Sequence, residues 1–175
     1  MDAADTSELF FDNVFVPAEN VLGGVEGKGF YQLMGELPQE RLVIAMGAAT
    51  GIEKALETTV AYVKERKAFG QTIWDFQNTQ FVLADLKARG TAARVFVNDC
   101  IAKLLKGELD VATASMAKYW VTELQSEVVD KCLQLHGGAG YINEYPIAKM
   151  YRDSRITRIF GGSNEVMKML IARSM

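Results

Sequence analysis

The sequence predicts an all-α protein, an antiparallel up-and-down helical bundle with a short N-terminal β or extended segment. Three observations carry this. Apolar residues recur at helical spacing over long stretches from about residue 29 onward. Short breaks rich in glycine or charge separate those stretches. Strand-like composition is confined to residues 8–16. With 175 residues, 49% of them hydrophobic and 23% charged, the chain is long enough for one domain with a sizeable core.

The elements follow in order. Residues 8–16 carry β-branched and aromatic side chains before Pro17 and read as a strand. Residues 22–29 hold four glycines and read as a loop. A short helix is expected to about Leu37. Pro38 then opens a new helix, where a missing N–H does no harm, and that helix runs to about Arg66. Its buried face is expected to hold Leu42, Ala45, Met46, Ala49, Ile52, Leu56 and Val63, with Gly47 and Gly51 allowing close packing. Residues 67–75 break the pattern.

A second long helix is expected from Phe76 to Leu105, with Leu83, Leu86, Val97, Ile101 and Leu104 in its stripe and Gly107 just past its end. Asp110 caps a third, reaching about Leu135, with Met116, Tyr119, Trp120, Leu124, Val128 and Cys132 inward. Gly137–Gly140 stops it. Two shorter helices are expected near 145–157 and 163–173, the second capped by Ser163. Long helices with short connections make a bundle.

Composition excludes several classes. A net charge of -3 gives no nucleic-acid footprint. No apolar run is long enough to span a membrane. Met1–Asp5 lacks the basic and apolar regions of a signal peptide. Cys100 and Cys132 read as buried thiols, and with a single histidine, His136, no metal site is expected.

Four places could carry chemistry. Glu40 could be a general base, or simply an acid complementing a helix N-terminus. Arg66, followed by Phe69 and Gly70, could hold a phosphate, or merely complement a helix C-terminus. Gln134-Leu135-His136-Gly137-Gly138 is a glycine turn that lets a ligand approach the backbone, or only a helix stop. Gly161-Gly162-Ser163-Asn164-Glu165 opens the last helix and offers free N–H groups to an anion, or is only a cap. His136 reads as a structural histidine. Taken singly, none of these settles a function.

Together and in order they form a pattern: Glu36–Leu42, Arg66–Gln71, Phe76-Gln77, Gln134–Tyr141, Glu144–Ile147, Tyr151–Asp153 and Gly161–Glu165. Over essentially the whole chain this resembles the C-terminal third of the acyl-CoA dehydrogenases, in particular their long-chain branch. Residues 5–14 resemble the end of that family's middle β-domain. The resemblance implies a boundary, with residues 1–28 as tail and linker and 29–175 as the helical domain. It implies that the chain is one part of a longer enzyme and inactive alone.

The resemblance also implies α,β-dehydrogenation of acyl-CoA thioesters in fatty-acid β-oxidation or related catabolism, with FAD as cofactor. Many members carry their base where this chain has Gly161. A second group carries it on the first long helix, at the position of Glu40. The family pattern assigns the Gly161 N–H to the thioester carbonyl, and Arg41 and Gly162 to the substrate. Arg66, Phe69, Gln77, Gln134, Leu135, Gly137 and Gly138 match contacts to a neighbouring subunit's FAD. Ser163 and Glu165 match contacts to the subunit's own FAD. Ala68 stands where a Thr is frequent, and Glu165 where some members have Gln.

Implied partners are acyl-CoA, an electron-transferring flavoprotein and further copies of the chain, as homodimer or homotetramer. The implied location is the bacterial cytoplasm or the mitochondrial matrix. Two other readings stand beside this: a non-catalytic helical oligomerisation module, and an acyl-CoA oxidase-like flavoenzyme that passes electrons to oxygen.

Overall fold

The computed structural model describes residues 7–175. Residues 1–6, on which the signal-peptide reading and the start of the β-domain motif rest, lie outside the described residues. The chain divides into two compact units, Met1–Leu37 and Pro38–Met175.

In the first unit, residues 8–16 form no strand. Leu9, Phe10, Phe11 and Phe15 are exposed. A strand is stable only when its backbone groups pair with another, and no described segment pairs with this one. Short 3-10 turns at Ala18–Asn20 and Leu22–Gly24 follow. The Gln32 amide donates to the Leu22 carbonyl at 3.0 Å.

Helix α1 spans Gly29–Glu65 and takes Pro38 in its interior, so the expected break before Pro38 does not occur. Proline removes one backbone hydrogen bond, at a cost of about 3 kcal/mol. The good helix formers on either side, Glu36, Leu37, Gln39 and Glu40, carry the helix past it.

The second unit is the bundle. α2 spans Gln77–Leu105, α3 Val111–His136, α4 Pro146–Ser154 and α5 Asn164–Ala172. α3 packs against α2, α4 and α5. Leu42, Ala45, Ala49, Ile52, Leu56 and Val63 of α1 join Leu83, Leu86, Val97 and Cys100 of α2 and Val121, Leu124, Val128 and Cys132 of α3 in one core. Met46 is exposed and not part of that face.

Two glycines set the close approaches. A Cβ on Gly51 would collide with the Gln125 amide of α3, and one on Gly90 would lie 2.8 Å from Ile52 Cγ2. Gly47, expected to act with Gly51, has open space beside it.

On α3 the buried stripe is Ala114, Ala117, Lys118, Val121, Gln125, Val128 and Cys132. Met116 and Trp120, expected inward, are 38% and 39% exposed. The stripe runs through small residues, which let neighbouring helices approach, so the large apolar side chains fall beside it.

The termini follow local chemistry. Asp110 accepts from the Thr113 N–H at 2.8 Å. Gly107 adopts φ 71° just past α2. Ser163 caps α5 through Val166 N. Both cysteines are buried and free, and burial raises both thiols above the usual range.

Candidate active site and cofactor groove

The break after α1 is a hairpin. β1, Lys67–Ala68, pairs antiparallel with β2, Gln71–Thr72. Its two turn residues, Phe69 and Gly70, have φ 53° and 83°. Tight hairpins demand positive φ at both positions, which glycine meets freely and phenylalanine only under strain. Phe69 is nonetheless 94% exposed, with its ring edge-to-face against Phe76 at a centroid distance of 6.4 Å. A capping box between Thr72 and Asp75 leads into α2, where Gln77 is an exposed first residue.

Against this hairpin lies an open groove of about 980 Å³. It brings together Arg66, Gln134, Leu135, Gly137 and Gly138 from the sequence-predicted set, with Tyr62 and His136 as its aromatic wall. Phe69 and Gln77 lie outside its lining. Gly137 has φ 58° and ψ -141°, a conformation essentially restricted to glycine. A Cβ at Gly137 or Gly138 would meet nothing, so the space over both is open to a ligand. The Arg66 guanidinium has no hydrogen bond or ion pair among the described residues.

The aromatic wall is internally satisfied. His136 stacks on Tyr62 with centroids 4.2 Å apart and planes at 19°. His136 Nδ1 lies 2.8 Å from the Cys132 carbonyl, so that nitrogen carries the proton. Burial lowers the His136 pKa below its ordinary value. It is a structural histidine, as the sequence suggested. Tyr62 escaped the sequence reading, although it sits one turn before Arg66 and shares its face.

The second cluster is at the α5 turn. Gly161 and Gly162 have φ 65° and 94°. A Cβ on Gly161 would collide with Ile44 of α1. Ile44 is one helical turn beyond Glu40, so Glu40, Val43 and Ile44 share one strip of α1, and Ile44 is the member that meets Gly161. Glu40 and Gly161 are exposed, and the Gly161 N–H has no acceptor among the described residues. A side chain at 161 would face both the Ile44 clash and a left-handed backbone.

Arg41 points into the core. It is 6% exposed, its Nε has no partner, and burial lowers its pKa. Glu165 is exposed in the first turn of α5, held below the usual carboxylate range by its own backbone N–H and then by the Ser163 hydroxyl.

Beneath the turn lies a residue the sequence did not reveal. Lys118 of α3 is fully buried and donates from Nζ to the Gly162 carbonyl and to Asn164 Oδ1, both at 2.8 Å. Asn164 Nδ2 donates on to Thr122 Oγ1 at 3.1 Å and Glu123 Oε1 at 2.9 Å. Burial pulls Lys118 down to about 8, opposed by Glu165 and reinforced by Arg41. A separate cavity of about 500 Å³ is lined by Arg89, Glu127, Glu123 and Arg158, which neutralise one another in pairs. None of the sequence-predicted site residues is in it.

A family model described as acyl-CoA dehydrogenase, C-terminal domain, matches residues 27–175. The chain belongs to this family. Among curated acyl-CoA dehydrogenase relatives, the mitochondrial long-chain specific acyl-CoA dehydrogenase of Mus musculus is 54% identical over 173 residues, covering 99% of this chain and 40% of that protein. The mitochondrial isovaleryl-CoA dehydrogenase of Oryza sativa subsp. japonica is 38% identical over 175 residues, 100% of this chain and 42% of that protein. The crystal structure of acyl-CoA dehydrogenase from Geobacillus kaustophilus superposes with a TM-score of 0.90 at 47% identity, over 94% of this chain and 43% of that one. The chain thus spans about two fifths of the length of these acyl-CoA dehydrogenases. No helix among the described residues is long and apolar enough to cross a membrane.

Proposed function

We propose that this chain is the helical domain of an FAD-dependent acyl-CoA dehydrogenase in which Glu40 is the α-proton base. One observation carries the reading: Gly161 packs against Ile44, one turn from Glu40. A carboxylate one helical turn from Ile44 and a backbone N–H with no acceptor among the described residues therefore lie on either side of that contact, and glycine at 161 leaves Glu40 as the carboxylate there. The relatives named above include a long-chain and an isovaleryl enzyme, the two kinds in which the resemblance puts the base on the first long helix.

The division of labour follows from the chemistry. An α proton beside a thioester is weakly acidic, so the enolate-like oxygen formed on its removal needs a preorganised donor. The Gly161 N–H supplies one. Glu40 takes the α proton, and Val43 and Ile44 beside it offer an apolar wall to the acyl chain. Arg41 is buried next to Glu40 in α1, at the position that the family pattern assigns to the substrate. Gly162 lets the substrate approach the turn. FAD, held by these residues, would supply the acceptor for the β hydrogen.

Residues at the other end of α1 fit a second flavin contact. Glu40 and Arg66 are separated by roughly 38 Å of helix at 1.5 Å per residue. Contacts at both ends exceed the reach of one dinucleotide. This supports Arg66, Gln134, Leu135, Gly137 and Gly138 acting on the FAD of a neighbouring subunit, with Phe69 and Gln77 extending past the groove, and Ser163 and Glu165 on the subunit's own. It also favours a homodimer or homotetramer, with electrons passing to an electron-transferring flavoprotein. Mitochondrial relatives fit a matrix location and bacterial ones a cytoplasmic one.

The test is turnover by the full-length protein on saturated acyl-CoA, with an artificial electron acceptor and with oxygen. Acceptor-dependent turnover is expected. Turnover with oxygen alone would favour the oxidase reading, and none at all the oligomerisation module. The 175-residue chain alone is expected to be colourless and inactive.

A further inference from the structure

We propose that Lys118 is a positioning residue for the reaction: its ammonium anchors the Gly161–Ser163 turn so that the Gly161 N–H is aimed at the thioester oxygen. The inference rests on the dehydrogenase reading above. Two consecutive glycines have the widest backbone freedom of any dipeptide, and both are in left-handed conformations here. A turn of that kind holds one geometry only when something outside it fixes the peptide planes.

Lys118 does so from below. It crosses from α3 to the Gly162 carbonyl and, through the same nitrogen, to Asn164 in the first turn of α5. Ile44 bounds Gly161 on one side, and Met167 lies under Gly162.

The choice of lysine is the informative part. A buried ammonium costs several kcal/mol in desolvation, and Lys118 has no carboxylate ion pair among the described residues to offset it. A neutral amide could donate to the same two oxygens without that cost. The cation is explained if it also acts on charge that develops nearby, at an oxygen held by the N–H of the residue preceding Gly162. Arg41, the other buried cation, lies close enough to act on Lys118 electrostatically.

The experiment uses the full-length flavoenzyme, comparing wild type with Lys118→Met and Lys118→Arg. Two quantities are read: steady-state kinetics on a saturated acyl-CoA, and the infrared stretch of the bound product's thioester carbonyl, isotope-edited. For Lys118→Met the expected result is kcat lower by about ten- to hundredfold, below the loss of an entire oxyanion donor. KM should stay within threefold and the carbonyl band should move toward its value in water. Lys118→Arg, which keeps the charge and the donors, should recover part of both.

A folded, flavin-loaded Lys118→Met enzyme with kcat within twofold and an unmoved band overturns the proposal. So does failure of both variants to fold, which would make Lys118 a folding residue. If wild type itself does not oxidise acyl-CoA, the dehydrogenase reading fails first, and that arm separates the two.

Discussion

The two ends of α1 border clusters built in opposite ways. At the Arg66 end the groove is open, Gly137 and Gly138 face empty space and Arg66 has no ion pair among the described residues. At the Glu40 end the turn is closed on its inner side by Ile44, Met167 and Lys118, and Gly161 and Glu40 are exposed. The groove has the character of a surface awaiting a ligand's charge. The turn has the character of a device already held in its working shape. A site that performs proton transfer must be rigid before substrate arrives, whereas a site that only holds a cofactor can be completed by it.

This contrast can be broken from either side. The largest effect on the chain's own stability is expected at the closed end. Gly161→Ala must place a Cβ against Ile44 in a left-handed backbone and should cost about 2 kcal/mol. A urea midpoint unchanged from wild type would show the turn to be looser than described.

At the open end, Arg66→Ala should leave stability within about 0.5 kcal/mol. It should weaken FAD binding by roughly tenfold or more, the worth of a charge-assisted hydrogen bond to a phosphate. Titration of the full-length apoprotein with FAD reads this directly.

Gly138→Ala should be quieter still. It meets nothing in the chain, so unchanged melting with a several-fold loss of FAD affinity would sharpen the difference between the ends.

A separate effect is in pH dependence. Lys118 titrates near 8 in the folded chain and near 10.4 when unfolded. Between those values the unfolded state binds more protons at this site, so stability must rise with pH across that window. The penalty is fully present below about pH 8. Melting temperatures at pH 8 and pH 10 should therefore converge on those of Lys118→Met as pH increases. Parallel curves would place Lys118 in a more polar setting than a fully buried one.

What could be read from the sequence divides along physical lines. Asp110, Gly107 and Ser163 were legible because a cap acts within four residues of itself. The bundle was legible because helical periodicity records burial. That residues 8–16 form no strand was not legible, since pairing depends on a partner that strand-like composition does not report. Pro38 lies inside α1 because its local penalty is outweighed by the helix on both sides.

On α3, reading the large residues as inward hid Lys118. Spacing the face through Ala114, Ala117, Val121 and Gln125 would have put a lysine in the core and flagged it. Glu40 and Gly161 were paired by resemblance, and their spatial relation through Ile44 is a long-range fact that no local pattern encodes.

The measurement that bears most directly on the account is Glu40→Gln in the full-length flavoenzyme, assayed under single-turnover conditions by bleaching of the flavin with a saturated acyl-CoA. Loss of a general base is worth about 10²–10⁴-fold. The expected result is a reduction rate lower by at least about a hundredfold, with FAD content and acyl-CoA binding retained. A Glu40→Gln enzyme that bleaches at the wild-type rate would contradict it and place the base elsewhere in the protein.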